Sequence, residues 1–274
     1  VPALLSTMRI ETRSYCLVTI AVLSMMSCAG RLPIYMMFVS ALFPSRLQAP
    51  VLFGIYASGV LLALCCARLL KNTLFKAPQR DSLHHMKRLR LPSLRKVGIL
   101  MWSRAFMYVR KAGTFILGAS IILWFLNTYP RPEEDTAPTN AAAMEHSYAG
   151  QIGHWMEPVT QVAGFDWKIN SALVGAFAAK EIFVTQMGIL YAVEDGNSGP
   201  AAQQTLNARL KASYTPLQGM SIMIFCLIAL PCIGTVTVAK REAGTWWFAL
   251  AQFGGLTLLG FATATLIYQA GLLL

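Results

Sequence analysis

Charged residues are scarce in this chain of 274 residues: they make up 13% of it, about half the share of roughly 25% found in soluble proteins. Acidic residues are the scarcest, with 12 Asp and Glu against 23 Lys and Arg. Hydrophobic residues make up 55%, and the mean hydropathy is +0.52. They form blocks of about 20 residues, the length of helix that crosses a bilayer core. This composition excludes a soluble globular domain and predicts an all-α, polytopic transmembrane helical bundle.

Motifs of the common enzyme classes are also absent. The sequence has no GxxxxGK[ST] phosphate loop, no HExxH and no GxSxG, so we expect a chain that is not an enzyme and does not hydrolyse nucleotides. Residues 1–13 lack the pattern of a signal peptide, and we expect the first membrane segment to direct insertion. All six cysteines lie in apolar runs, which argues against a disulfide framework: Cys16, Cys28, Cys65, Cys66, Cys226 and Cys232.

The net charge of +11 does not indicate nucleic-acid binding. About half of the basic residues lie in residues 71–111, between two membrane segments, as in loops that face the cytoplasm and touch anionic lipids. Residues 97–110 have the pattern of an amphipathic interfacial helix. Residues 130–168 are instead acidic, so we expect 71–111 to be cytoplasmic and 130–168 periplasmic. The predicted parts are a membrane core segment (1–70), a basic cytoplasmic loop (71–111) and a second membrane region (112–274).

The apolar pattern predicts six membrane segments, some of them broken or re-entrant. Segment 170–193 carries Lys180 and Glu181 in its middle and either crosses the membrane or dips in and returns. The second arrangement is favoured, because it keeps Lys240 and Arg241 on the cytoplasmic side. The predicted segments are 15–43, interrupted near Pro33, then 51–70, 112–128, 170–193, 220–239, interrupted at Pro231, and 246–270.

Each of the two interrupted segments carries a cysteine beside the break. Cys28 precedes Gly30 and Pro33, and Cys232 follows Pro231. Irregular backbone at membrane depth is tolerated only where it is buried in protein or lines a cavity, and paired interruptions point to a transporter's binding site. A thiol beside freed carbonyls suits a soft or borderline divalent metal. The alternative is that both cysteines are small apolar packing residues.

Lys180 and Glu181 are the second candidate feature. Neighbouring residues on a helix point about 100° apart, so these two charges do not simply pair with each other. Ionisable groups inside a membrane are costly and are functional candidates by default. The alternative is architectural, with Glu181 holding Arg31 or Lys180 in a structural network.

At these residues the chain resembles the FeoB family of ferrous-iron transporters. Residues 27–35, Ser-Cys-Ala-Gly-Arg-Leu-Pro-Ile-Tyr, are similar to the family's SCxARLPVY motif, and residues 1–3 resemble the end of GCNVPA. Residues 165–167 and 178–184 resemble the segment that opens the family's second Gate region. Residues 231–235 are similar to its PCxAT motif, and 240–247 continue the match. Gly30 and Gly234 stand where the family has alanine, which we expect to loosen the backbone without removing a ligand.

The resemblance implies Fe²⁺ uptake by a multi-pass protein of the bacterial inner membrane, with Cys28 and Cys232 near the ion path. Fe²⁺ would be the transported ion, with no permanently bound cofactor, and GTP would act only through a domain missing from this chain. The expected partners are the lipid bilayer, a GTPase-bearing FeoB portion and small accessory proteins, and a homo-oligomer stays open. The supporting residues are Arg31, Tyr35, Lys180, Glu181 and Thr235.

Two alternatives stay open on the sequence. A Gate-type carrier of another solute, such as a nucleoside, predicts Asn, Gln and Ser clustered at the breaks, whereas cysteine stands at both. An inactive fragment of a split transporter would bind a partner and carry nothing.

Overall fold

The computed structural model describes residues 19–22, 25, 28–73, 93–130, 144–191, 200–229 and 231–273. Several features of the sequence analysis lie outside these residues: residues 1–3, Cys16, Ser27, Leu230, the centre of the basic stretch (74–92), part of the acidic stretch (131–143) and the residues around Glu194. Within them every regular element is helical: 3-10 turns at Ala29–Arg31 and Gln161–Ala163, and helices α1 (Leu32–Leu42), α2 (Ser45–Thr73), α3 (Leu94–Thr128), α4 (Tyr148–Thr160), α5 (Trp167–Ala178), α6 (Lys180–Tyr191), α7 (Pro200–Ser213), α8 (Pro216–Ile228), α9 (Ile233–Ala243) and α10 (Trp246–Leu273).

Three stretches of helix in the described part are long and apolar enough to cross a membrane: Ser45–Leu69, Pro216–Thr237 and Trp246–Leu273. They correspond to three of the predicted segments, and the all-α membrane fold is confirmed. In Pro216–Thr237, 65% of the most apolar stretch is buried inside the protein, against 17% and 11% in the other two. Helix α8 is therefore central, while α2 and α10 direct most of their apolar surface outward.

The core forms where α1 crosses between α8 and the pair α5–α6. Helix α8 packs against α10, α1 and α2, and α1 also contacts α6 and α7. The Phe38 ring of α1 lies 6.1 Å from the Phe183 ring of α6 and 6.4 Å from the Tyr214 ring. Both phenylalanines are fully buried. These contacts fix α1 and α6 against each other just below the first helix break.

Helices α5 and α6 fold back on each other at Ala179. Asp166 starts α5 by accepting a hydrogen bond from the Ile169 N–H at 2.9 Å, and the extended backbone of Ala179 (φ −151°, ψ 132°) ends the helix. Gly175 of α5 lies against the Gln186 side chain of α6, although a continuous helix would separate these residues by about 16 Å. The segment therefore reverses direction at its middle, which is the arrangement that the charge pattern favours.

Both predicted interruptions occur in the structure. Cys28 is outside a helix, the 3-10 turn follows it, and α1 begins at Leu32. Pro33 does not itself break the helix: it occupies the first turn of α1, where a missing N–H costs nothing. At the second interruption α8 ends at Ile228 and α9 begins at Ile233.

Two boundaries differ from the expectation. The second membrane segment is predicted to begin at 51, but α2 already begins at Ser45 and contains Pro50. We also expected a boundary at 111, with a separate interfacial helix before it, but α3 runs without interruption from Leu94 to Thr128. Its charged residues obscure the helix in a hydropathy pattern, yet they are good helix formers and no proline ends it.

Candidate functional site

The tip of the α5–α6 hairpin meets both helix interruptions. Lys180 and Glu181 begin α6 directly after the bend at Ala179. Their side chains turn to different neighbours: the Lys180 ammonium to the end of α8, and the Glu181 carboxylate to Gly30. The two charges therefore do not neutralise each other, as their spacing predicts.

Lys180 is buried, with 6% of its surface exposed. Its Nζ donates a hydrogen bond to the carbonyl oxygen of Cys226 at 3.3 Å. Because α8 ends at Ile228, this carbonyl belongs to the last turn, whose oxygens lack partners within the helix and carry the negative end of the helix dipole. The ammonium thus caps the carboxyl end of α8.

Glu181 lies against the first interruption. A Cβ atom built on Gly30 would stand only 2.6 Å from Glu181 Oε1, so the approach of the carboxylate uses the space that glycine leaves. The carboxylate therefore lies beside the 3-10 turn that leads into α1. Both Glu181 and the neighbouring Cys28 are exposed, and this half of the site is open.

Arg31 and Tyr35 support the first interruption from within the core. Arg31 is 2% exposed, and its Nη1 donates to the carbonyl oxygen of Met25 at 3.0 Å, which bridges the interruption. Tyr35 is fully buried, and its ring meets the Tyr56 ring of α2 edge-on at 5.9 Å. Sequence reasoning missed Tyr56, because nothing in an uninterrupted apolar helix distinguishes it.

The second interruption brings Cys232 and Thr235 together at the start of α9. Cys232 is half-buried and precedes the helix, and its Sγ lies 3.4 Å from Thr235 Oγ1. The Thr235 N–H also donates to the Cys232 carbonyl at 2.8 Å. This turn presents a thiol and a hydroxyl side by side at a helix start.

Both interruptions lie beside the hairpin tip. Lys180 binds the carbonyl oxygen of Cys226 just before the second interruption, and Glu181 lies against Gly30 in the first. Sequence reasoning did not single out Cys226; its thiol is buried, but its carbonyl belongs to the site because α8 ends at Ile228. In the described part of the chain no three His, Cys, Asp or Glu side chains converge as a metal cluster. Any metal ion here would need carbonyl or hydroxyl oxygens in addition to thiols.

The opposite end of the hairpin, its base, is closed by neutral hydroxyls and one carboxylate. The Tyr191 hydroxyl at the end of α6 donates to the Tyr214 hydroxyl at 2.9 Å, and Tyr214 donates to Asp166 Oδ2 at 2.8 Å. Burial raises the pKa of the Asp166 carboxyl, and burial beside that carboxylate raises the pKa of Tyr214. The start of α5 and the end of α6 thus lie together at the base, and Tyr214 joins them.

Comparison with known proteins places these elements in known families. Residues 109–246 match the Gate family, described as "Nucleoside recognition", and residues 52–104 match the family described as "Ferrous iron transport protein B C terminus". No solved structure matches the chain significantly.

Three curated relatives illustrate the similarity. The chain is 34% identical to an Fe(2+) transport protein A/Fe(2+) transporter FeoB fusion protein of Porphyromonas gingivalis, over 100% of the chain and 36% of the relative. It is 34% identical to the Fe(2+) transporter FeoB of Campylobacter jejuni, over 92% and 41%. It is 33% identical to the FeoB of Methanocaldococcus jannaschii, over 100% and 40%. The chain spans well under half the length of these relatives.

Proposed function

We propose that this chain, which belongs to the FeoB family and corresponds to the carboxy-terminal part of such transporters, forms the Fe²⁺ path of a ferrous-iron uptake system in the bacterial inner membrane. The observation that carries the proposal is that both interruptions meet the hairpin tip, the first through Gly30 at Glu181 and the second through the end of α8 at Lys180, and that each interruption carries a cysteine, Cys28 or Cys232. Thiols with freed carbonyl oxygens suit Fe²⁺, which lies between hard and soft ions. A purely structural contact has no need of a cysteine at each break.

The residues divide into roles along this path. Cys28 and Glu181, which are exposed, receive the ion, and Cys232 with Thr235 holds it at the second interruption. Arg31 and Tyr35 keep the first interruption in shape from the core side. GTP binding belongs to a portion outside this chain, and small accessory proteins complete the system. A relative whose name joins transport protein A to FeoB supports that last expectation.

The path also has a direction in this proposal. Residues 71–111 face the cytoplasm and 130–168 the periplasm, so the hairpin enters from the periplasmic side and its base faces outward. The opposite charges of the two loops support this assignment. Single cysteines in place of Ser82 and Thr139, with the native thiols blocked, test it. An impermeant thiol reagent added outside must label position 139; labelling of position 82 instead contradicts the assignment.

Uptake of radioactive Fe²⁺ tests the function. The chain is produced with the GTPase-bearing portion of its transporter in a bacterium that lacks other ferrous uptake, and uptake is measured under a reductant. We expect Cys28→Ser and Cys232→Ser each to lower the initial rate about tenfold or more, with unchanged amounts in the membrane. Cys65→Ser is the matched control, because Cys65 is an exposed cysteine on α2.

The same cells distinguish the alternatives. The Gate match makes a nucleoside carrier the second candidate, and uptake of a labelled nucleoside without Fe²⁺ uptake would favour it. If neither solute enters above the level of cells without the chain, the chain is an inactive fragment and the proposal is wrong.

A further inference from the structure

Helices α9 and α10 meet at a tight corner. Gly244 ends α9 in the left-handed conformation, with φ 71°, and its N–H donates to the Lys240 carbonyl oxygen at 2.9 Å. Helix α10 begins two residues later, at Trp246. The inner side of the corner is packed by buried apolar residues: Ile20, Ala239 and Ala249. The last turn of α9 and the first turn of α10 are therefore fixed side by side.

The outer side of this corner combines basic and aromatic side chains. The Lys240 ammonium lies over the Trp246 ring, 4.1 Å from its centroid, in a cation–π contact that favours one position of the charge. Arg241 is exposed, as are Trp246 (57%) and Trp247 (83%). One acid, Glu242, stands beside the two bases in the sequence. The basic corner (Lys240, Arg241, Trp246 and Trp247) therefore offers two positive charges beside two exposed rings.

The length of α10 sets the depth of the basic corner in the bilayer. Trp246–Leu273 is one of the three membrane-spanning stretches, and its 28 residues extend about 42 Å. A bilayer with both headgroup layers is roughly 40–45 Å thick. The first residue of α10 thus falls among the headgroups, where tryptophan is enriched. An ammonium stacked on that ring is level with the lipid phosphates.

We propose that the basic corner binds the phosphate headgroup of an anionic phospholipid. Arg241 offers a guanidinium that can pair with two phosphate oxygens at once, and Lys240 adds a positive charge that the Trp246 ring already holds in place. A zwitterionic lipid presents the same phosphate together with its own positive charge, so the corner prefers the anionic lipid. The bound lipid fixes the end of α9, whose start carries Cys232 and Thr235.

Photo-crosslinking tests the site on the unaltered chain, assembled with the GTPase-bearing portion of its transporter in nanodiscs of zwitterionic lipid. The probe is phosphatidylglycerol with a photoreactive group beside the phosphate, and phosphatidylcholine with the same group is the comparison. Mass spectrometry maps the labelled residues. We expect the anionic probe to label residues 240–247 at least about fivefold more than the zwitterionic probe, and unlabelled phosphatidylglycerol to compete. Equal labelling by both probes overturns the proposal. Competition by inorganic phosphate at constant ionic strength, which indicates a free-anion site, also overturns it, as does labelling only without the GTPase-bearing portion, which indicates a protein docking surface.

Variants assign the labelling to particular side chains. We expect Lys240→Gln and Arg241→Gln each to lower it about fivefold, whereas Lys240→Arg retains it, which separates a lost charge from a lost fold. Trp246→Leu removes the ring below the ammonium and lowers labelling about twofold to fivefold. Lys168→Gln is the matched control: the Lys168 ammonium also lies over a ring, that of Tyr191 at 4.7 Å, but on α5, outside the three membrane-spanning stretches of the described part. Unchanged labelling in both Lys240→Gln and Arg241→Gln overturns the proposal.

Discussion

The two ends of the α5–α6 hairpin are held in opposite ways. At the base, Tyr191, Tyr214 and Asp166 form a continuous chain of side-chain hydrogen bonds of 2.8–2.9 Å. At the tip, Lys180 meets a helix end through one longer bond of 3.3 Å, and the Glu181 carboxylate lies against a bare glycine. A chain of short hydrogen bonds between buried groups fixes one geometry, whereas one longer bond to a helix end constrains the tip less. The hairpin is therefore held firmly at its base and more loosely at its tip.

Removal of the Asp166 carboxylate, which anchors the base, is expected to have the largest effect on stability. Asp166→Ala removes both the acceptor of Tyr214 and the cap of α5, and we expect a loss of about 3 kcal/mol in the free energy of unfolding. Asp166→Asn keeps an acceptor and a cap, so the loss is about 1 kcal/mol. Chemical denaturation in detergent micelles measures both. Glu145→Gln, at an exposed carboxylate, is the control, and an equal loss there would contradict an anchor at the base.

A substitution at the tip is expected to change Fe²⁺ uptake more than the free energy of unfolding. Glu181 is exposed, so Glu181→Gln costs little in unfolding free energy. Its charge is still needed beside Cys28, and we expect Fe²⁺ uptake to fall about tenfold, as for lost charge at a binding site. Glu194→Gln, in a polar stretch of the sequence, provides the comparison. Equal Fe²⁺ uptake by the two variants, at equal expression, would contradict a role for Glu181 in the Fe²⁺ path.

Gly30→Ala tests the contact between Gly30 and the Glu181 carboxylate with a smaller change. The added Cβ would stand 2.6 Å from Glu181 Oε1, so the carboxylate must leave its rotamer at a cost of about 0.5–1 kcal/mol. We expect uptake to fall about threefold. In the Gly30→Ala background, Glu181→Asp shortens the side chain and should restore part of the loss, which a double-mutant cycle measures. Strict additivity of the two changes would contradict the contact.

Acid titration gives the smallest expected effect and concerns the base alone. The pKa of Asp166 is raised in the folded protein, so the folded state binds this proton more tightly than the unfolded state does. The contribution of Asp166 to stability is then greatest at low pH and declines as pH rises from about 4 through the folded pKa. Asp166→Asn removes this slope from unfolding measured between pH 4 and 7. An unchanged slope in that variant would assign the effect to another group.

Local chemistry predicts the parts of the site better than their contacts. Glycine and proline beside Cys28 and Cys232 located both interruptions, and the charged pair at 180–181 marked the hairpin tip. No local pattern predicts that Tyr214 joins the start of α5 to the end of α6, or that the Cys226 carbonyl accepts a hydrogen bond from Lys180. Both contacts join elements about 25 to 50 residues apart in the sequence. The extent of α3 was missed for a different reason: hydropathy marks where a helix meets lipid, not where it ends.

Helix α3 has a mechanical consequence. Its 35 residues form a rod of about 52 Å, longer than the roughly 30 Å of a hydrocarbon core. No atom of another element in the described part of the chain lies within 4 Å of a Cβ built on Gly98, Gly113 or Gly118. The last turn of α3 holds Asn127, whose Oδ1 accepts a hydrogen bond from Gln186 of α6 at 2.9 Å. A stiff rod turns a small tilt at its basic end into a displacement at the other. Force applied to that end would therefore reach the hairpin at the far end of α3, where the hydrogen bond between Asn127 and Gln186 joins the two.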